Sequence, residues 1–482
     1  MTGGVRGSWA QSPVPPPPPP PLGPLVTERV TCQFGGPSAS ASHICVGQLD
    51  GKWLLRCAGK EFCTAIVFGP QGAKIKWTSN AFAEYQTTTI TGANKSIQLS
   101  TYPRTASVVR GPWIGDVTRT GATVRWETDG AAQPVVLNPG AGFVWTTGTS
   151  VALPGGRHRH SVRLPSLTAG IQHTVQLGDV STPTWATFRT APLGSPPFRF
   201  VAFGDYQCGE PGLLQKLLSQ TGPALPHFFV STGDMIDSYS GCNWDSFFGS
   251  ANFLSQGALY PALGNNDPIP DWLDLFAFPG SVSASRPYYA FTYSNTRFLF
   301  LYSGPADTLA AGQKLFPPRS ANVDCAQPAT QTDWVSCELR AAGQSAAIRN
   351  VVVVLHMPPY TYPQPGGGTH LSNQDEQQNL VPLLESAPKV RLVLAGHNHF
   401  YQRILKSYPI PHKGKVHYLV IGGGGASLYN PTTSPASFPE IKKQQRDFHF
   451  VSVEVSGTTL SIQVKAYRSV TQQFSVIETF QL

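Results

Sequence analysis

Five apolar runs in this 482-residue chain each end abruptly in a side chain able to bind a metal ion. Phe198 to Phe203 runs into Gly204-Asp205, Phe228 to Thr232 into Gly233-Asp234, and Tyr260 to Leu263 into Gly264-Asn265. Val351 to Leu355 then runs into His356, and Arg391 to Ala395 into Gly396-His397-Asn398-His399. Two Asp, one Asn and three His make a mixed oxygen and nitrogen donor set without thiolate, which suits Zn²⁺, Mn²⁺ or iron and disfavours a structural zinc knot. Six ligands are too many for one four-coordinate ion with an open position. They fit two ions about 3.5–4 Å apart that share a bridging carboxylate, the arrangement that clamps attacking and leaving oxygens in phosphoryl displacement.

Side chains spread from residue 205 to 399 meet only if the chain delivers them to one place. Runs read as parallel strands of an open α/β sheet do so, because the carboxyl ends of such strands lie along one edge. The glycine before most of the ligands lets the backbone turn sharply out of its strand. Between the runs, Glu210 to Gln220 carries Leu213, Leu214, Leu217 and Leu218 at the spacing of an amphipathic helix. Thr332 to Ala342 and Gln374 to Ser386 read as helices too, each followed by a Val-rich strand. Met235, Ile236 and Met357 read as packing beneath the ligands. The last strands, His417 to Ile421, Phe448 to Val455 and Thr459 to Tyr467, are expected to complete a second sheet against the first, with helices outside.

The order Gly-Asp, Gly-Asp-x-x, Gly-Asn-x-Asp, an isolated His after a Val-rich run, then Gly396-His397-Asn398-His399-Phe400-Tyr401-Gln402-Arg403, resembles the calcineurin-like metallophosphoesterase superfamily. The spelling of that last block, with Gly422-Gly423-Gly424-Gly425-Ala426 after it, most resembles its purple acid phosphatase branch. The likeness covers roughly residues 196–482 and implies a four-layer α/β/β/α domain hydrolysing phosphomonoesters with a metal-bound hydroxide. Phosphodiesters with good leaving groups, or a catalytically weak binding role on a retained fold, are the alternatives. By resemblance Asp205 and His399 hold the first metal, Asn265, His356 and His397 the second, and Asp234 bridges; the ions are two divalent or trivalent Fe, Zn or Mn.

Three positions depart from the family pattern. Purple acid phosphatases have Tyr three residues after the bridging Asp, where this chain has Asp237; the wider superfamily has His two residues after the first Asp, where this chain has Gln207. Gln207, Asp237 or water is left to complete the first metal's shell. In the Gly-Asn-His block the His bonds the phosphate or protonates the leaving group; here it is Asn266, which donates a hydrogen bond but gives up no proton at neutral pH. His370, beside Gly366-Gly367-Gly368, is a candidate substitute acid.

The rest of the sequence frames this site. Its length suits several domains. Hydrophobic residues are 41% and charged ones 13%, so cores form while the surface leans on uncharged polar groups. The net charge of +8 comes without a Lys/Arg run, which leaves no nucleic-acid stripe and favours anionic substrates only in a general way; the resemblance implies a phosphorylated small-molecule or macromolecular substrate. No stretch reaches the ~20 apolar residues of a membrane span, and no signal-peptide pattern is visible. Eight cysteines without C-x-x-C spacing point to an oxidising, secreted or extracytoplasmic setting. Cys208 with Cys242 and Cys325 with Cys337 are the expected disulfides, while Cys32, Cys45, Cys57 and Cys63 pair among themselves. Residues 1–24, with prolines unbroken from Pro15 to Pro21, read as a disordered leader. Residues 25–103 read as a small disulfide-containing β module with strands at Thr87 to Thr91 and Ser96 to Ser100; Trp53, Trp77 and Tyr85 read as its core packing, with a carbohydrate or surface contact as the alternative. Residues 104–193 resemble the fibronectin type III-like sandwich that precedes the catalytic domain of purple acid phosphatases, and 196–482 form the catalytic domain. Arg157-His158-Arg159-His160 reads as an exposed basic strand end.

Overall fold

The computed structural model describes residues 106–482 apart from 133, 139–143, 179, 181–183, 218, 220–224, 238–239, 305–313, 365–369 and 407–415; before residue 106 it describes six strands. Those six form two antiparallel ladders. Lys52–Cys57 lies between Ile44–Leu49 and Gln86–Thr88, and Phe62–Phe68 lies between Lys74–Thr78 and Ser96–Tyr102. Only the last strand of each ladder stands out in the sequence. Phe62–Phe68 is apolar almost throughout and Lys52–Cys57 does not alternate, so neither shows the two-residue period of a half-buried strand. The leader, the side chains of the four N-terminal cysteines and those of Trp53, Trp77 and Tyr85 lie outside the described residues.

The polypeptide forms two compact units, one of residues up to 108 with 128–158 and 176–184, the other of 109–127, 159–175 and 185–482. In the first, Val135–Asn138 pairs antiparallel with Val144–Thr147 and with the end of Gln172–Leu177.

The second unit holds the ligand-bearing runs. Strands β1 (Phe198–Phe203), β2 (Phe228–Ser231) and β3 (Ala258–Pro261) run parallel, Phe200 opposite Phe228 and Phe228 opposite Ala258. A second sheet carries β4 (Thr296–Phe300), β5 (Asn350–Val354), β6 (Val390–Ala395) and β7 (His417–Ile421), also parallel to one another. The ligands thus come from two sheets packed face to face and not from one. Between the sheets lie aromatic rings: Phe200 and Phe228 each meet Phe298 edge-on at 5.3 Å, and Tyr260 stacks on Phe291 at 4.0 Å. Each such pair adds roughly 0.5–1.5 kcal/mol beyond its buried area, which holds the two strand edges at a set separation.

Helices cover the outer faces. On the second sheet, Val335, Leu339 and Ala342 of α1 (Gln331–Gln344) and Leu384 of α2 (Val381–Ser386) pack with Val351, Val353 and Val393. On the first, Phe253 packs on Phe203 and Phe229, and Leu213 and Leu214 are buried. The result is the four-layer α/β/β/α architecture, behind N-terminal β structure.

Several elements differ from the sequence reading. Phe448–Ser456 and Thr459–Arg468 join the first sheet, not the second: Phe448–Ser456 pairs antiparallel with β1, Phe198 opposite Val455, and only β7 joins the second. Their alternation shows that one face is buried but not against which sheet. The helix before α2 starts as a π turn, Glu376–Leu380, because Pro382 has no N–H to continue an ordinary i→i−4 ladder. The helix after Asp205 spans Pro211–Lys216, opened by Glu210, whose carboxylate accepts from Gly212 N at 3.0 Å. The basic strand end is not exposed at its last residues. His160 is fully buried against Trp126, with ring centroids 5.0 Å apart, and Arg159 ion-pairs with buried Glu127 at 2.7 Å.

Candidate metal centre

Each ligand-type side chain stands just past the end of its strand, and three of the six are on backbone that ordinary residues rarely adopt. Asp205, Asp234 and His397 have φ of 58°, 51° and 68°. Such left-handed non-glycine residues persist only where their surroundings over-determine them.

For Asp234 the surroundings are one carboxylate. Asp267 accepts the backbone N–H groups of Gly264 (3.1 Å), Asp234 (2.9 Å), Met235 (3.0 Å) and Ile236 (3.3 Å), so it ties the turn after β2 to the turn after β3. Met235 and Ile236 are buried beneath it. For Asp205 the constraint is space. Its Oδ1 accepts from His397 N at 2.8 Å, and a Cβ on Gly396 would collide with its Oδ2, so the turn after β6 needs glycine there. For His356 the constraint is three bonds, two at the backbone and one at the ring: its own N and Met357 N donate to Ser303 Oγ at 3.0 and 2.7 Å, and ring Nδ1 meets Thr232 O at 3.0 Å.

A carbonyl only accepts, so Nδ1 of His356 carries the hydrogen and its Nε2 faces the site. Nε2 lies 2.8 Å from Asn265 Oδ1, 3.2 Å from His397 Nδ1 and 3.4 Å from Asp234 Oδ1. Ligand atoms of Asp234, His356 and His397 all fall within 4.8 Å of one another. His399 repeats the device, with Nδ1 on Ser427 O at 2.9 Å and Nε2 3.6 Å from Asp205 Oδ1. Asp205 Oδ2 is buried with no hydrogen-bond partner. The structure therefore gathers Asp234, Asn265, His356 and His397 round one point and sets Asp205 and His399 beside each other, linked to the first group through His397.

Charge in this buried set is strongly coupled. Burial pulls the His356 pKa down, but the Asp234 carboxylate, with help from Asp205, outweighs it and lifts it to about 9. Burial likewise pushes Asp234 up while the charge of His356 holds it below the usual carboxylate range. Asp267 is raised to about 7 by burial and by the neighbouring charge of Asp234. Burial and the charge of His356 push His397 well below an ordinary histidine.

The two positions read as catalytic lie against the same groups. Asn266 donates from N to Asp234 Oδ1 at 2.8 Å and from Nδ2 to Oδ2 at 2.7 Å; Gln207 Nε2 donates to that Oδ2 at 2.8 Å. The ring of His370 sits 3.8 Å from that of His397, and its backbone N and O bond the Asn398 side chain at 3.2 and 2.8 Å. Burial, then the charges of His399 and His356, lower the His370 pKa. The Cys208–Cys242 and Cys325–Cys337 disulfides are both formed, the first joining the segment after Asp205 to the segment after Asp234.

Sequence reasoning passed over three contributors. Asp267 was visible as the last residue of Gly264-Asn265-Asn266-Asp267, and Asn398 as the residue between two histidines. Tyr429, whose ring stacks on His399 at 4.1 Å, gave no signal, since it lies beyond every ligand block.

Residues 198–401 match the calcineurin-like phosphoesterase family. Two uncharacterised proteins of Mycobacterium tuberculosis, from different strains, are each 27% identical to the chain over 340 residues, which is 60% of this chain and 60% of each relative's length. Among solved structures, PhoD superposes with a TM-score of 0.56 at 13% identity, covering 77% of this chain and 90% of that one, a likeness of fold. A dimetal phosphatase from Danio rerio matches at 16% identity and a TM-score of 0.39, over 60% of this chain and 99% of its own. Over residues 198–401 the chain thus carries a calcineurin-like phosphoesterase domain.

Proposed function

We propose that the protein is a dinuclear metal-dependent phosphoesterase of the purple acid phosphatase-like type, hydrolysing phosphomonoesters outside the cytoplasm. The observation that carries the reading is the convergence on His356 Nε2 of Asn265 Oδ1, His397 Nδ1 and Asp234 Oδ1 within 3.4 Å. Lone pairs so crowded repel unless positive charge sits among them. The donor set fits a pair of borderline cations, because it offers oxygen and imidazole nitrogen and no sulfur. The orphaned, buried Asp205 Oδ2 fits as well, since a carboxylate oxygen without a partner is costly to bury. Asp205 and His399 would hold one ion and Asn265, His356 and His397 the other, with Asp234 between. Ions bound there supply Lewis-acid charge and a water of lowered pKa.

The chain's own groups do the rest. The Thr232 and Ser427 carbonyls fix the tautomers of His356 and His399, leaving each Nε2 free to bind. Asp267 holds the Asp234 turn in its strained form. In this reading Asn266 donates a hydrogen bond to a phosphoryl oxygen, and His370, whose ring lies against that of His397, holds a proton for the leaving group. The two disulfides support the extracytoplasmic setting.

Aryl and alkyl phosphate mono- and diesters, assayed with the metal-loaded protein and its Asp234→Ala variant, test the proposal. Hydrolysis of monoesters ahead of diesters, lost in the variant, is the expected result. Faster diester cleavage would make it a phosphodiesterase, and two bound metals without turnover would make it a binding protein on this fold.

A further inference from the structure

A concavity lies at the end of the second sheet away from His356. Val351, on its floor, is near the N-terminal end of β5, whereas His356 follows the C-terminal end. At ~3.3 Å per residue the strand puts them roughly 16 Å apart. The cavity measures about 420 Å³, a size usual for small-ligand sites. Leu339 of α1, Leu383 of α2 and Val351 make an apolar floor, and the charged groups at its edge are Arg319, Arg340 and Lys389. No residue lining it carries a carboxylate.

The three cations are not equivalent. Lys389 Nζ donates to the carbonyls of Ala342, Gly343 and Ser345 at 2.8, 3.0 and 2.8 Å, using its three protons to cap the C-terminal end of α1. That cap cancels the negative pole which would otherwise repel an anion from this end of the helix. Arg319 and Arg340 are exposed, and among the described residues neither guanidinium has a hydrogen bond or an ion pair. Other cations in these same layers are neutralised, Arg297 by Glu338 and Lys314 by Asp375. Two unmatched guanidinium forks over an apolar floor raise the local positive potential and offer paired donors to a planar or tetrahedral anion.

We propose that this cavity is a second, non-catalytic site for a small organic anion, a carboxylate, sulfonate or phosphate carrying an apolar body. The forks bind the anionic head at the rim while Leu339, Val351 and Leu383 take the hydrocarbon.

Naphthalene-2-sulfonate titrated calorimetrically into the metal-loaded full-length protein tests it, with inorganic sulfate as the comparison. The expected result is saturable binding below millimolar concentration, roughly ten-fold weaker in Arg340→Ala and in Arg319→Ala, with sulfate alone weaker by a similar factor. Both arginines are exposed, so folding of the variants is not at stake. Absence of saturable binding, equal affinity in both variants and the wild type, or sulfate binding as tightly as the sulfonate would overturn the proposal.

Discussion

At Asn266 an amide stands where a proton donor would serve a poor leaving group, its backbone N–H and one side-chain N–H donating to Asp234. General-acid help is worth typically 10²–10⁴-fold, and it matters least when the leaving group departs easily. Asn266→His is therefore expected to raise kcat on an alkyl phosphate by roughly 10²-fold and to change hydrolysis of an activated aryl phosphate by less than about threefold. Equal gains on both substrates would show that the side chain acts in binding rather than in proton transfer. Away from the site, Glu385 sits half-buried on α2 with Tyr418 OH donating to one oxygen at 2.8 Å and its other oxygen buried without a partner. Burial lifts its pKa from 4.5 to about 6, against the Tyr418 bond. A carboxyl raised on folding favours the folded state at low pH, so this contribution is intact below about 4.5 and lost as pH rises through about 6. With allowance for solvent screening, Glu385→Gln is expected to stabilise the protein by about 1 kcal/mol at pH 7.5 and to make no difference at pH 4. Denaturant unfolding at the two pH values checks both parts.

The elements that matter most are the turns after β1, β2 and β3. Asp267 holds four backbone N–H groups, three of them within the strained Asp234 turn, so removing its carboxylate leaves buried donors without partners. Each such loss costs roughly 1–3 kcal/mol, and Asp267→Ala is expected to lower stability by about 3 kcal/mol or more and to weaken metal binding in calorimetric titration. Unaltered metal affinity would mean that Asp234 is held by something else. The Cys208–Cys242 disulfide closes a 34-residue separation between two of these turns. Replacing both cysteines with serine is expected to cost about 3 kcal/mol in denaturant unfolding. These turns were readable in advance because Gly-Asp and Gly-Asn mark abrupt exits from apolar runs, and a glycine leaves a visible letter. Which sheet each late strand joins was not readable. Alternation in Phe448–Ser456 reveals a buried face but leaves the partner sheet open, and Pro382 marked a break without showing that the ladder would pass into a π turn.

For the whole molecule, the sequence marked candidate ligands and the four-layer architecture, but not how the strands divide between its two sheets. Reading the five runs as strands of one sheet placed six ligands along one edge; two sheets, held apart by Phe200, Phe228, Phe291 and Phe298, bring the same ligands together from both sides. Carbonyl partners such as Thr232 O and Ser427 O carry no letter of their own, because every residue has one, so the tautomer control at His356 and His399 became visible only with coordinates. Since metal binding would link both sheets, chelation is expected to lower the thermal midpoint as well as to remove activity, by mass action on the folded state. An unshifted midpoint would mean that the cations do not join the two halves.

Metal content of the purified full-length protein, measured by elemental analysis beside its Asp234→Ala variant, tests the central claim most directly. The account expects about two transition-metal ions per wild-type chain, as for a pair sharing one carboxylate, and at most one in the variant. A folded wild-type protein that takes up no metal, or a variant that keeps the full complement, would contradict it.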